Sequence, residues 1–264
     1  MDSHDDRAEL LERYRFFLKD TIRQEIDFRM TPQSRGVPAP PLQKPCPEDV
    51  LRIDLPDGAE AASRLFSMGV GDAIRLRESV RSYSSRALTL EELSALLWAT
   101  QGVRQVLRPD CALRTVPSAG ARHAFETYVA VSRVEELPSG LYRYLPFDGQ
   151  LVQCYVDAQI GRKAADACLG QQFVASAAAT FFWTSISARM EWRYDLAAHK
   201  VIAIDAGHVC QNLYLASIAI GAGTCAIAAY DQAACDRLLG VDGDEEFTLY
   251  IAPVGKLAAT ANSS

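Results

Sequence analysis

The sequence of 264 residues lacks the motifs that would point directly to a nucleotide or a metal. It contains no G-x-G-x-x-G and no G-x-x-x-x-G-K-[ST] element, which argues against a dedicated nicotinamide domain or a P-loop. Its four histidines are scattered and form no H-x-x-x-H or H-E-x-x-H pair. We therefore expect no metal site.

The chain also lacks paired cysteines, a basic charge excess and a long apolar run. Its seven cysteines are odd in number and form no C-x-x-C, so free, mostly buried thiols in a reducing cytoplasm are the simplest interpretation. A net charge of −6 argues against nucleic-acid or acidic-membrane binding. The apolar runs are too short and interrupted to span a bilayer. The acidic start, Met1 to Asp6, has no apolar core, so we expect no signal peptide.

The composition is that of a globular protein with a substantial core, since 49% of the residues are hydrophobic. Residues 7–30 have helical periodicity. The proline-rich stretch from Gly36 to Pro47 predicts an extended arm, which would wrap over its own domain or over a partner subunit. We expect residues 1–64 to form a helical and proline-rich arm, and residues 65–264 to form the compact domain.

Local signals within that domain predict both helices and strands. Thr89 and Glu92 form a capping box for a helix that Gly102 ends. The Asp148–Gly149 pair predicts the turn of a β-hairpin. Further strands are expected over 126–132, 177–185 and 247–254, an extended segment over 224–230 and a helix over 205–220. The mixture indicates an α+β fold.

The segment from Arg77 to Arg81, R-E-S-V-R, is the strongest local signal for a ligand. In an extended chain, side chains two residues apart point the same way, so Arg77, Ser79 and Arg81 would form one row of hydrogen-bond donors. Arginine is suited to bidentate phosphate contacts. The alternative is a solvated basic stretch, which this segment alone does not exclude.

Four ordered motifs resemble the nitroreductase family, and more closely its SagB-type branch, which includes azoline dehydrogenases of peptide-toxin pathways. They read R-E-S-V-R-S-Y, L-T-L-E-E-L-S-A-L-L-W-A-T-Q-G, T-V-P-S-A-G-A and D-A-G-H-V-C-Q-N-L-Y-L-A, and the resemblance covers roughly Arg75 to Lys256. It implies a sandwich with an antiparallel-containing central sheet flanked by helices. It also implies an interlocked homodimer, with two FMN sites at the interface that are each built from both chains.

The resemblance also implies roles for particular residues. Arg77, Ser79 and Arg81 would hold the flavin phosphate and ribityl chain, and Lys256 would add a final phosphate contact unless it is simply a solvated lysine. The backbone amides of Ala228 or Ala229 would donate toward flavin N5. The resemblance also implicates two whole segments. A loop would lie against the flavin of the partner subunit, and it consists of Pro117, Ser118, Ala119 and Gly120. A second run would lie beside the reactive edge of the flavin ring, and it consists of Ala226, Ile227, Ala228 and Ala229. An ordinary tight loop and a buried strand are the respective alternatives.

The expected substrate face departs from the branch. Azoline dehydrogenases of this branch carry a Lys-Tyr pair, and the matching positions here are Arg193 and Tyr194. Tyr194 is suited to proton transfer, whereas Arg193 stays protonated and would instead bind an anion or stabilise developing negative charge. His208 matches a histidine common in the branch and is interpreted as a helix-start residue satisfied by backbone. His123 is interpreted as either a ligand contact or a surface residue.

These residues support three functional hypotheses. The first is an FMN-dependent oxidoreductase that moves a hydride between flavin N5 and a small or peptide-borne substrate, with NAD(P)H as a transient electron donor. The second is a flavin carrier or sensor without turnover. The third is an enzyme of the same fold that degrades the flavin itself.

Overall fold

A computed structural model describes residues 3–258 of the chain. Its centre is a seven-stranded sheet with the strand order β1-β6-β5-β4-β7-β9-β8, and every neighbouring pair is antiparallel. A separate hairpin joins β2 to β3. The strands are β1 (Arg52–Asp54), β2 (Val103–Arg108), β3 (Cys111–Arg114), β4 (Phe125–Val131), β5 (Gly140–Leu145), β6 (Gln150–Val156), β7 (Ala179–Ser185), β8 (Ala222–Thr224) and β9 (Phe247–Lys256).

Helices cover both faces of the sheet, so the predicted α+β class is confirmed. The helices are α1 (Ser3–Phe16), α2 (Gly58–Leu65), α3 (Val70–Leu76), α4 (Leu90–Gln101), α5 (Ile160–Ala167), α6 (Gln172–Ala175), α7 (Ala188–Tyr194), α8 (Ala198–Ala219) and α9 (Gln232–Leu239). Short 3-10 turns lie at Asp20–Glu25, Phe28–Met30, Ala119–Ala121 and Asp195–Ala197.

The core forms two layers because β4 and β7 are buried on both faces. On one face Phe181 and Trp183 pack with side chains of α4 and α8, including Leu97 and Leu213. On the other face Phe182 packs with side chains of α5 and α9. Because β7 has no solvent-facing side, its three central residues, Phe181, Phe182 and Trp183, are all large and apolar.

The predictions with a local chemical signal hold in the structure. The Thr89 hydroxyl accepts from the Glu92 amide at 3.0 Å while the Glu92 carboxylate accepts from the Thr89 amide at 3.0 Å, so the capping box is confirmed. The hairpin of β5 and β6 turns at Gly149, whose φ is +64°. Left-handed backbone at this position explains the glycine.

Two helix predictions are wrong in their extent. Residues 7–30 do not form one helix, because α1 ends at Phe16 and is followed by 3-10 turns, which leaves Leu10, Tyr14 and Leu18 exposed. The helix expected to open at Asp205 begins seven residues earlier, at Ala198. The preceding helix stops at Asp195, whose positive φ of 49° carries no glycine or proline signal.

The arm contacts its own chain at residues 42–45. Arg143 donates to the carbonyl oxygens of Lys44 and Pro45, at 2.9 and 3.0 Å, and Arg114 donates to the Leu42 carbonyl at 2.8 Å. β1 then pairs with β6, and α2 packs on α4. The predicted boundary at residue 65 therefore stays a prediction. Residues before it, in the arm and in β1, already contact the sheet. Across residues 3–258, no helix combines the length and apolarity needed to cross a membrane.

Candidate functional site

Tyr214 of α8 brings two of the predicted segments together. Its hydroxyl accepts from the Ala226 amide at 2.8 Å and lies 3.0 Å from the Ser79 hydroxyl. The Arg77 guanidinium lies 5.4 Å from the centroid of the same ring. Tyr214 is the aromatic residue of the motif that begins at Asp205, but the motif alone assigns it no role.

The segment from Arg77 to Arg81 is extended, as predicted. The Val80 amide donates to the Thr224 carbonyl at 2.9 Å, and Ser79 forms a parallel bridge with Thr224. Ser79 and Arg81 are exposed and Arg77 is half-buried. The donors therefore face solvent beside the edge of the sheet.

In the run from Ala226 to Ala229, two backbone amides donate hydrogen bonds within the described residues and two do not; we call the latter the open amides. The Ala226 amide donates to Tyr214, and the Ile227 amide donates to the Ile251 carbonyl at 2.8 Å. Ala228 and Ala229 are exposed, and no acceptor within residues 3–258 takes their amide N–H groups. The buried-strand interpretation thus fits Ile227 but not the two alanines after it.

The loop from Pro117 to Gly120 is fixed by hydrogen bonds to its own polar groups and to α8. The Ser118 hydroxyl accepts from the His123 amide at 3.0 Å, and the Ala119 amide donates to the Asp205 carboxylate at 3.2 Å. Burial raises the pKa of Asp205, while the hydrogen bonds from Ser118 and Ala119 lower it. The carboxylate thereby anchors the loop to the N-terminal half of α8.

Gly120 lies directly against the predicted catalytic pair. Its φ is +57°, and a Cβ atom built on it would stand 2.8 Å from Arg193 Cδ and 2.8 Å from the Tyr194 hydroxyl oxygen. The Arg193 guanidinium stands 5.6 Å from the centroid of the Tyr194 ring. The structure therefore brings the loop and the pair together, and glycine permits that contact.

Two parts of the site lie on different sides of α8. Asp205, beside the loop, and Tyr214, beside Ser79 and Ala226, are nine residues apart. At 1.5 Å and about 100° per residue, their side chains are separated by about 13 Å along the axis and point to opposite faces. The helix surface between them, with Ile204, His208 and Gln211, is exposed. Within one chain the predicted residues thus form two groups on opposite faces of α8, which we call the two half-sites.

The family follows from comparison with known sequences. A sequence model described as the nitroreductase family matches residues 74–256. This chain belongs to the nitroreductase family. A nitroreductase-family protein of Methanocaldococcus jannaschii is 33% identical over 208 residues, which are 79% of this chain and 98% of the relative.

Solved structures show the same nitroreductase fold. A nitroreductase-family protein of Ralstonia eutropha is 24% identical, with a TM-score of 0.65 over 84% of this chain and 99% of its own. One from Anabaena variabilis is 25% identical, with a TM-score of 0.64 over 80% of this chain, and there the match spans only 42% of the longer chain. The expected nitroreductase-like sheet flanked by helices is confirmed.

Lys256 lies at the end of this nitroreductase domain and is not a solvated lysine. Its ammonium pairs with the Glu92 carboxylate and donates to the Ile220 carbonyl at 2.6 Å, and its side chain is only 12% exposed. The cation thus stabilises the C-terminal end of α8. Its role toward a phosphate stays a prediction.

The histidines of this family member differ from their expected positions. His123 is buried, so the surface alternative is wrong. Its Nε2 lies 3.1 Å from the Ala112 carbonyl, and burial and the nearby Arg114 lower its pKa to about 3, which keeps the ring neutral. His208 does not open α8 but lies inside it, exposed, with Nδ1 3.8 Å from the Asp205 carboxylate.

Trp183, Trp192 and Asn212 make structural contacts with their own chain or lie in the core, within the described residues 3–258. Trp183 is fully buried in the core, and the Trp192 indole donates to the Val37 carbonyl of the arm at 2.8 Å. The side-chain Nδ2 of Asn212 donates to the Ala99 carbonyl of its own chain at 2.8 Å. Cys210 is buried, as expected of a packing residue. Residues 3–258 contain no group of three or more candidate metal ligands.

Proposed function

We propose that the chain is an FMN-dependent oxidoreductase that transfers a hydride between flavin N5 and a small or peptide-borne substrate. The observation that carries this proposal is the pair of open amides at Ala228 and Ala229. Tyr214 bonds to both Ser79 and the Ala226 amide, and so holds the run that carries the open amides beside the exposed donors of the segment 77–81. A flavin mononucleotide needs this combination, a donor at the ring edge and cationic and hydroxyl donors at the phosphate.

The residues present fit such a cofactor. Arg77, Ser79 and Arg81 would bind the phosphate and ribityl chain, since guanidinium groups make charge-assisted contacts to phosphate oxygens. The amides of Ala228 and Ala229 would donate to the ring edge. A bound flavin would supply two-electron redox chemistry at N5. Lys256, which ends β9, remains a candidate for an additional phosphate contact.

The two half-sites on α8 support a homodimer in which each flavin lies between subunits. In that arrangement the loop Pro117–Gly120 of one subunit would cover the ring held by residues 77–81 and 226–229 of the other. The loop suits this role because Gly120 lacks a side chain and lets the backbone approach a flat ring closely. The exposed face of α8 would then be the contact between subunits.

Tyr194 would exchange a proton with the substrate, since its hydroxyl is adjacent to Gly120 and thus to the expected ring position. Arg193 would bind an anionic group or stabilise developing negative charge. We also propose membership of the SagB-type branch, which the motifs resemble. The arginine in place of the branch's lysine argues against azoline oxidation and leaves the flavin-binding part intact. The seven cysteines, free in the structure, fit a reducing cytoplasm.

The test is an absorbance spectrum of the purified protein, followed by anaerobic addition of NADH and NADPH. Flavin bands that bleach support a nicotinamide-linked oxidoreductase. Bands that persist with both donors, and also with candidate reduced substrates, support the flavin carrier or sensor instead. Irreversible loss of flavin absorbance under oxygen with a reductant indicates flavin degradation. Absence of flavin, with no binding of added FMN, contradicts all three.

A further inference from the structure

We propose that the cavity beside Arg193 and Tyr194 binds a carboxylate of the substrate, so that the substrate is an organic anion and the N-terminal segment 23–34 helps to select it. This inference rests on the proposed function, since it assigns the substrate class of the same site. The distinguishing feature is that residues from the arm, 160 positions away in sequence, complete the cavity.

The cavity has a volume of about 290 Å³ and lies between the arm and the end of α7. Arg23, Phe28 and Gln33 of the arm line one side, and Arg193 and Tyr194 line the other. The backbone N–H of Gln33 donates to the Trp192 carbonyl at 3.0 Å, which fixes the arm against α7. A volume at the lower limit of small-molecule sites suits a carboxylate with one ring or a short chain.

Two guanidinium groups give this cavity its charge. Arg193 contacts a single side-chain acceptor within residues 3–258, the Gln33 carbonyl oxygen at 3.3 Å, which is neutral. Arg23 donates from Nε to Asp20 at 3.0 Å, but that carboxylate is 63% exposed and does not line the cavity. No acidic side chain lines the cavity, so the two guanidinium groups meet no negative charge inside it.

Ring contacts hold both guanidiniums in position. Arg23 lies 5.5 Å from the centroid of the Phe28 ring, and Arg193 lies 5.6 Å from that of Tyr194. A third cation, Arg122, packs 4.6 Å from the ring centroid of Trp192 and is close enough to Arg193 to be repelled by it. Burial lowers the pKa of Arg122, and the positive charge of Arg193 contributes to the same shift. An anion entering the cavity would relieve this repulsion.

The cavity is also adjacent to the expected reaction site, because Tyr194 both lines it and touches Gly120. A substrate whose carboxylate lies between Arg23 and Arg193 would place its remaining atoms beside the Tyr194 hydroxyl and the Pro117–Gly120 loop. The arm is then a specificity-determining element of the site, with Arg23 as its charged group.

The experiment measures binding of 4-nitrobenzoate and its neutral analogue 4-nitrobenzamide to the purified protein by calorimetry. We expect the anion to bind at least about tenfold more tightly, the range of a charge-assisted hydrogen bond. Arg23→Gln should abolish most of this preference, because it should weaken the binding of 4-nitrobenzoate and leave that of 4-nitrobenzamide unchanged. Arg29→Gln is the matched control, because Arg29 lies on the same segment, is 89% exposed, pairs with Asp27 and does not line the cavity.

A second variant acts in the opposite direction. Asp20→Asn removes the carboxylate that competes for Arg23, so we expect tighter binding of 4-nitrobenzoate and unchanged binding of 4-nitrobenzamide. Equal affinity for the two probes in the wild-type protein, or an equal effect of Arg23→Gln and Arg29→Gln, would overturn the proposal.

Binding is read without turnover, so the two proposals fail separately. Anion binding that depends on Arg23 in a protein unable to hold FMN supports the cavity and contradicts the oxidoreductase. Flavin reduction with no preference for the anion, in binding or in reoxidation of the reduced protein by the two nitro compounds, supports the oxidoreductase and contradicts the anion site.

Discussion

Tyr214 is the residue on which the arrangement of the proposed flavin site depends most. Its hydroxyl bonds to both Ser79 and the Ala226 amide, so it sets the relative position of the phosphate donors and the open amides. No sequence motif pairs Ser79 with Tyr214, because the two residues are 135 positions apart. The role of Tyr214 emerges only when the strand after α8 folds back against the segment 77–81.

Tyr214→Phe should therefore weaken FMN binding. The change leaves the Ala226 amide without its acceptor, and we expect a loss of unfolding free energy of about 1 kcal/mol, the usual size for one hydrogen bond. Tyr155→Phe is the control, since it deletes a hydroxyl that donates to the Leu238 carbonyl at 2.8 Å on another part of the molecule. Flavin fluorescence titration and urea unfolding of both variants test this. Equal FMN affinity in the two variants would refute the role assigned to Tyr214.

His123 predicts a pH dependence of stability. Its pKa is about 3 in the folded protein and about 6.5 when unfolded, so between these values the unfolded chain binds the extra proton. Its contribution is therefore fully present above pH 6.5 and is lost as the pH falls toward 3, by about 1.4 kcal/mol per pH unit at most.

Urea unfolding of His123→Gln between pH 4.5 and 7 tests this, because glutamine keeps a donor for Ala112 but does not titrate. We expect a shallower decline of stability toward low pH than in the wild type. His199→Gln is the control, since His199 is exposed. If His123→Gln and wild type decline in parallel, a neutral buried His123 is not the cause.

At the scale of elements, the loop Pro117–Gly120 and the end of α7 form one unit. Gly120→Ala places a methyl group against Arg193 and Tyr194 and adds the cost of a left-handed alanine, about 1 kcal/mol. Gly149→Ala has the same backbone cost at φ +64° but meets nothing within 4 Å. We expect Gly120→Ala to lose more stability than Gly149→Ala, because its methyl group must displace Arg193 and Tyr194, and we expect only Gly120→Ala to lose most of its oxidoreductase activity. Similar activity in the two variants would contradict the contact.

Elements with short-range signals could be predicted, and those set by distant contacts could not. The capping box at Thr89 and the turn at Gly149 depend on neighbouring residues, so sequence revealed them. The start of α8 could not be found because Asp195, an ordinary residue, takes the positive φ that separates it from α7. The resemblance of the four motifs to a known family predicted the proposed site residues between Arg77 and Ala229. The contact of Gln33 with Arg193 has no sequence signal, since only the folded arm creates it.

At the scale of the whole molecule, each proposed flavin site requires two chains. Arg77→Ala with Arg81→Ala damages one half-site, and Gly120→Ala damages the other. If each site takes one half from each subunit, a mixed dimer of these two variants contains one undamaged site. We expect co-expressed, doubly tagged mixed dimers to recover about half the wild-type activity per dimer, while neither parent does. A site contained within one chain would recover nothing.

The most direct test of the central claim is titration of the protein with FMN, with the mass of the complex measured by light scattering. We expect a dimer that binds one FMN per chain. We also expect that Arg77→Ala and Arg81→Ala each lower the affinity at least about tenfold through lost charge-assisted phosphate contacts. Arg75→Ala, which removes an exposed arginine paired with Asp72 on α3, should change nothing. No FMN binding, a monomeric complex, or undiminished affinity in both phosphate-site variants would contradict the claim.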